Sequence, residues 1–315
     1  MLYLTSKTIK DMPNKIQKVK TISQYHQLRG LPKPEHPLIS LIDYSTITAA
    51  PENNDISYIF DFYSISLKRN FDAKIKYGQQ EYDFDEGIMF FMAPGQVFSI
   101  EVQRPSSGKR TGWMLLVHPD FLWNMPLSKT IKDYHYFDYA ANEALFLSEK
   151  EEITIVNVMQ NIHQEYCSNI DVYSQDIIIA QLELLLSYAQ RFYNRQFITR
   201  KIATNNTLIR LQELLNAYFD NVILEKGLPT VQYIADALHL SPGYLGSLLK
   251  NLTGQTTQQH IHDKLIEKAK EKLSASELSI SEIAYELGFE HHQSFSKFFK
   301  AKTQHSPLAF RQSFN

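Results

Sequence analysis

The chain has 315 residues, 43% of them hydrophobic and 21% charged, with a formal net charge of −2. This composition excludes wholesale disorder, and the length suggests two domains of roughly 150 residues each. A single cysteine, Cys167, excludes an intrachain disulfide and a cysteine-cluster metal site, and it reads as a buried, inert thiol in a reducing compartment.

In chain order, residues 1–37 are polar and Lys-rich, and Pro32, Pro34 and Pro37 interrupt any helix, so the segment reads as a mobile arm. No secretory signal is expected there, because Lys and Asp arrive before an apolar core can form. Over 38–147, short aromatic and β-branched runs alternate with polar residues: Phe60 and Phe62, Ile65 and Leu67, Ala73, Ile75 and Tyr77, then Phe98, Ile100 and Val102. Gly78, Gly87, Pro94-Gly95 and Gly108 supply turns between them. Many short strands at this spacing predict a β-sandwich, jelly roll or small barrel.

Over 148–197 the period becomes helical. Ser148 and Glu151 make a capping box, and Ile153, Val156, Met159, Ile162 and Tyr166 follow on one stripe. A second helix, from about 173 to 193, carries Ile178, Leu182, Leu185, Leu186, Ala189 and Phe192. These accessory helices either cover the β domain or join two copies of the chain, and the pattern does not choose. The apolar stretch from 177 to 189 contains Gln181 and Glu183 and is too short to cross a bilayer, so a cytoplasmic protein with no membrane contact is expected. Residues 198–205 lack an apolar period and read as a linker to a last domain over 206–315.

That last domain repeats itself with a period of about fifty residues. Val231, Ile234, Ala235 and Leu238, then Leu240, then Leu245, Leu248, Leu249 and Lys250 are matched by Ile280, Ile283, Ala284 and Leu287, then Phe289, then Phe295, Phe298, Phe299 and Lys300. Each copy is two short amphipathic helices around a tight turn, the sequence form of a helix-turn-helix. Ser279 with Glu282, Gly288, and Ser241-Pro242 supply matching caps. Between the copies, about 257–273 reads as one helix with Ile261, Leu265, Ala269 and Leu273 on a stripe, a spacer able to hold two recognition helices about one DNA turn apart.

The stretch from Ile280 to Lys300, with Ser306-Pro307 and Phe310-Arg311, resembles the C-terminal signature of the AraC family of transcription regulators. Ile234-Ala235, Leu240-Ser241-Pro242, Tyr244-Leu245 and Thr253-Gly254 resemble that family's first unit. Gln304 stands where the pattern usually has Gly, and Lys297 where Arg is common. The resemblance implies an α+β protein: an N-terminal cupin-like β-sandwich or jelly roll with accessory helices, then an all-α domain of two helix-turn-helix units joined by a linker helix. It implies a DNA-binding transcription regulator, here expected to be a homodimer, an activator or a repressor of its target genes. Double-stranded DNA is the expected partner, with a small-molecule effector and RNA polymerase as further candidates.

In a helix-turn-helix, the N-terminal half of the second helix faces the base edges. In the second copy the residues not used by the core are His292, Gln293, Ser296 and Lys297, expected to read bases, Gln pairing with adenine and Lys with guanine. Lys300 and Arg311 are expected at phosphates. The first copy presents Gly243, Tyr244, Gly246, Ser247 and Lys250 instead. Glycines cannot reach a base, so Tyr244, Ser247 and Lys250 are expected to hold phosphates. From 291 to the end there is no Asp or Glu, which offsets the near-neutral total.

A cupin-like domain raises one rival, a metal-dependent enzyme with an accessory DNA-binding domain. Such sites need converging His and carboxylate ligands. The β region has only His36, His118 and His135, with His26 in the arm, and no His-x-His pair on an expected strand. Neither a phosphate-cradling glycine loop nor a nucleophile elbow is present. No enzyme activity, metal or cofactor is therefore expected.

Overall fold

A computed structural model describes residues 15–47, 56–69, 76–77, 80–81, 87–99, 111–139, 143–168, 171–199 and 201–313. The calls on Ala73, Ile75, Gly78, Ile100, Val102 and Gly108 fall outside these residues. The chain divides into two modules, Met1–Thr199 and Arg200–Asn315.

The first described strand, β1 (Lys15–Val19), and helix α1 (Ile22–Leu28) lie inside the segment expected to be a mobile arm. That expectation fails from residue 15 onward, because Val19, Ile22 and Tyr25 are buried in the core between the Lys residues that dominate the sequence. Thr21 starts α1 with a capping box: its hydroxyl accepts from Gln24 N–H at 3.1 Å, and Gln24 Oε1 accepts from Thr21 N–H at 3.3 Å.

The strands that follow are β2 (Ile39–Asp43), β3 (Ile56–Phe60), β4 (Tyr63–Arg69), β5 (Lys76–Tyr77), β6 (Gln80–Glu81), β7 (Ile88–Met92), β8 (Val97–Ser99) and β9 (Thr111–Val117). A short helix α2 (Leu127–Thr130) and strand β10 (Leu145–Phe146) complete the series. One sheet has the order β1-β3-β8, a second the order β10-β7-β4-β9-β2, and β5 and β6 form a separate pair. Strand β1 runs parallel to β3, with Lys15 opposite Ile56, while every pairing of the five-stranded sheet is antiparallel. Val19, Tyr58 and Phe60 from the first sheet, Ile42, Met114 and Leu116 from the second, and Ile22 and Tyr25 from α1 share one buried cluster. Gly112 is required where β9 passes β4: at φ 121° an added Cβ would stand 2.1 Å from the Leu67 carbonyl oxygen.

Helices α3 (Glu149–Cys167) and α4 (Ser174–Thr199) pack against each other and onto the five-stranded sheet. Ser148 N–H donates to Glu151 Oε2 at 2.9 Å, as the capping pattern implied. Glu151 also takes both forks of Arg195, at 3.0 and 2.6 Å, and Arg195 donates to the Phe146 carbonyl at 2.7 Å, so one carboxylate ties α3, α4 and β10 together. Leu41 N–H donates to Tyr166 Oη at 2.7 Å, fastening α3 to β2. The accessory helices thus cover a sheet, yet α4 keeps Ile177 and Leu184 exposed, and Tyr173 is exposed in the turn before it. Cys167 corrects another expectation: it is exposed at the end of α3, with Sγ 3.7 Å from His163 Nε2.

The C-terminal module is all helical: α5 (Lys201–Asn221), α6 (Ile223–Lys226), α7 (Val231–Leu238), α8 (Pro242–Thr253), α9 (Thr257–Ala275), α10 (Ile280–Glu286), α11 (His292–Thr303) and α12 (Pro307–Gln312). Residues 201–205, read as linker, belong to α5. Leu211, Leu215, Tyr218 and Phe219 bury that helix against α7, α8 and α9. Among the described residues no helix is long and apolar enough to cross a membrane.

Candidate nucleic-acid interface

The two helix-turn-helix units share one frame. Ile234, Ala235, Leu238, Leu245, Leu248 and Leu249 are buried in the first, and Ile283, Ala284, Leu287, Phe295 and Phe299 in the second. Their turns close alike: Leu240 N–H donates to the Ala235 carbonyl and Phe289 N–H to the Ala284 carbonyl, each at 3.0 Å. The left-handed residue this closure needs is His239 (φ 59°) in the first unit and Gly288 (φ 78°) in the second. At Gly288 an added Cβ would meet Ile223 Cγ1 at 3.0 Å and Gly227 backbone at 3.1 Å, so glycine is needed for space as well as for φ.

The spacer α9 starts with a Thr256/Gln259 capping box and runs 19 residues, about 28 Å at 1.5 Å per residue. Ile261, Leu265, Ala269 and Leu273 are its buried stripe, as the sequence implied. It touches both units. His260 Nε2 meets Thr253 Oγ1 at 2.9 Å at the end of α8, and the His262 ring stands edge-on to Phe298 of α11 at 5.0 Å. Burial holds both imidazoles below the ordinary histidine value; Lys302 lowers His262 further.

With these faces buried, α11 turns His292, Gln293, Lys297 and Lys300 to solvent and leaves Ser296 half-buried. Among the described residues no hydrogen bond or ion pair engages the side chains of Gln293, Lys297 or Lys300. Ser294 and Lys302, which the reading of the sequence passed over, are exposed on the same helix. His291 occupies the N-cap without capping it, so the first N–H groups of α11 have no side-chain acceptor. In the first unit Lys250 is exposed and Ser247 half-buried, flanked by Gly243 and Gly246.

Two expected phosphate contacts are moved elsewhere. Tyr244 is only 3% exposed, because the apolar stripe of α8 is two residues wide and Tyr244 falls inside it beside Leu245 and Leu248. Arg311 is half-buried, and its Nε donates to the Leu273 carbonyl at 3.2 Å, so it caps the end of α9 and fastens α12 to the spacer.

Three of the four histidines weighed as metal ligands are used locally. His26 Nδ1 donates to the Pro32 carbonyl at 2.5 Å, which leaves Nε2 to accept from Ser40 Oγ at 2.9 Å. His36 and His118 accept from the nearby backbone N–H groups of Leu38 and Asp120. Among the described residues no group of three or more His, Cys, Asp or Glu is arranged to hold a metal ion.

Comparison with known proteins bears on the same region. Residues 234–313 match a family described as a helix-turn-helix domain. An uncharacterized HTH-type transcriptional regulator of Bacillus subtilis, YfiF, is 33% identical over 138 residues, 44% of this chain and 41% of that protein. The HTH-type transcriptional activator RhaS of Escherichia coli is 32% identical over 139 residues, 44% of this chain and 46% of RhaS. The chain thus matches less than half the length of these relatives. Among solved structures, the C-terminal domain of the two-component response regulator yesN from Fusobacterium nucleatum is 32% identical, covering 32% of this chain and 96% of that domain, with a TM-score of 0.28.

Proposed function

Residues 234–313 form an AraC-type helix-turn-helix domain, and on that premise we propose that the chain is a sequence-specific transcription regulator in which α11 reads bases and α8 holds the DNA backbone. The observation that carries this division is the outward face of α11: Gln293 and Lys297 stand exposed and unengaged, with Lys300 on the same helix and no acidic residue after Glu290. A glutamine and a lysine near a helix N-terminus are suited to adenine and guanine edges. The uncapped start of α11, Lys300, Ser247 and Lys250 would supply phosphate contacts. The test is selection of duplexes from a random library by the full-length protein, followed by titration of the selected site. Recovery of no common sequence overturns the reading.

The N-terminal module is read as a regulatory and dimerising domain of cupin-like architecture, supported by two sheets that share a core under α1. A homodimer through α4 is supported by Ile177 and Leu184, exposed seven residues apart on one side of that helix, with Tyr173 exposed in the turn just before it. Sedimentation showing a monomer at tens of micromolar, with and without DNA, removes that part of the proposal. A small-molecule effector, contact with RNA polymerase and a cytoplasmic location complete the reading.

A further inference from the structure

The spacer α9 grips both helix-turn-helix units within a single one of its turns. His260 and His262 stand about 200° apart around the helix and about 3 Å apart along it, so their rings leave from nearly opposite faces at one level. On one side, Thr253 Oγ1 at the end of α8 donates to the Leu249 carbonyl at 2.9 Å and accepts from Gln255 N–H at 3.2 Å. Its remaining lone pair takes His260 Nε2–H at 2.9 Å, which fixes that ring's tautomer and direction. On the other side, His262 is edge-on to Phe298 of α11 at 5.0 Å, and Phe298 meets the turn residue Phe289 at 5.9 Å. Other ties to the spacer constrain angle less. Lys268–Asp220 and Lys272–Glu286 are ion pairs on long flexible stems, and the stripe from Ile261 to Leu273 is held by non-directional apolar contact. The bond from Arg311 to the Leu273 carbonyl secures only the far end of α9.

We propose that His260 and His262 are positioning residues that set which phosphates α8 holds relative to the bases α11 reads. They thereby fix the register of the protein on its site while their own rings stay turned into the protein. A small angle is enough to matter. With the two units about one DNA turn apart, roughly 34 Å, a tilt of about 6° at the spacer carries one of them about 3.4 Å along the duplex, the step from one phosphate to the next. The inference rests on the reading of α11 as base reader and α8 as backbone clamp.

The experiment uses the full chain and its selected duplex, carrying single methylphosphonate substitutions that remove one phosphate charge at a time. In the wild type, affinity should fall sharply at a few phosphates about one turn from the base-read segment, and this sensitivity should vanish in Lys250→Ala. In His260→Ala and in His262→Ala the fall at those phosphates should shrink several-fold and spread to their neighbours, while base preference in the α11 segment stays as in the wild type. His260→Gln, which keeps a donor at the place of Nε2, and His262→Phe, which keeps a ring against Phe298, should restore the sharp pattern. His260→Leu and His262→Leu, closer in bulk, replace an alanine variant that does not fold. A role in stability alone would lower affinity at every position alike and leave the phosphate pattern sharp, and that result overturns the inference. So does a pattern blurred equally in His260→Gln and His262→Phe, or a loss of base preference in step with the blurring. Each of these leaves the reading of α8 and α11 standing, whereas a wild type sensitive at no phosphate outside the α11 segment removes α8 as a backbone clamp and this inference with it.

Discussion

The two helix-turn-helix units have the same inside and different outsides. Leu245 and Phe295 fill matched buried positions, and both turns close through the same backbone hydrogen bond. Facing outward, α11 carries Gln293, Lys297, Lys300 and Lys302, whereas α8 carries Gly243, Gly246, Ser247 and Lys250. The lesson is that the packing of a unit and its capacity to read DNA are set by separate residues, so one can be lost while the other persists.

The comparison can be broken most severely from the inside. Leu245→Ala and Phe295→Ala should each cost about 2–5 kcal/mol, read as faster hydrogen exchange across both units during urea titration of the full chain. A silent Leu245→Ala would mean that the first unit contributes no core of its own. Next come the outward residues: Gln293→Ala or Lys297→Ala should weaken specific binding by about 1–3 kcal/mol and relax preference at one base pair. Measured against single-base variants of the selected site, a preference that follows Ser247 and ignores Gln293 and Lys297 would reverse the roles of α8 and α11. At the turns, Gly288→Ala should destabilise by about 1–2 kcal/mol, the strain of a left-handed residue with a Cβ, while His239→Gly should be neutral or mildly stabilising in the same urea titration. Lys250→Ala should lower affinity for all sequences alike and reduce the salt slope by about 0.9, as loss of one phosphate contact does.

The smallest effect concerns the spacer. His260 and His262 have values lowered by burial, so the unfolded chain takes up protons first as the pH falls below about 6.5. Their contribution to stability is therefore present above that pH and is lost toward acid. Melting curves between about pH 7.5 and about pH 5.5 should show a decline that shrinks in His262→Gln; an unchanged decline in that variant would assign it to other groups.

Most of the C-terminal module was legible because its paired helices bury amphipathic stripes and announce their ends with caps: Ser279 and the Ser241-Pro242 pair act as their spacing implied. Helix α5 was not, since its sequence opens polar-rich and its first buried position among the described side chains is Leu211. Tyr244 and Arg311 were misplaced because a tyrosine beside a leucine, or an arginine after a terminal helix, looks solvent-facing until a wide stripe or an open carbonyl claims it. Alternation found β4 but missed β7 and β9, whose runs Ile88–Met92 and Thr111–Val117 are mostly apolar on both faces because the sheet between core and helices is covered on both sides. Arg29 falls inside the segment read as a mobile arm, since nothing local signals that Tyr58, distant in sequence, will lie beside it.

The parallel pairing of β1 with β3 also fixes an order of events during synthesis. Lys15 leaves the ribosome about forty residues before its partner Ile56, an interval of roughly 2–8 s at ordinary elongation rates. Throughout it, a five-residue strand with neither neighbour waits in solution with its hydrogen-bonding edge open. In the finished sheet β1 still has a described neighbour on one side only, and Ile16 stays half exposed. The Lys residues at 15, 18 and 20 that disguise this strand as an arm are then its protection, since repeated positive charge discourages one nascent chain from pairing its open edge with another's.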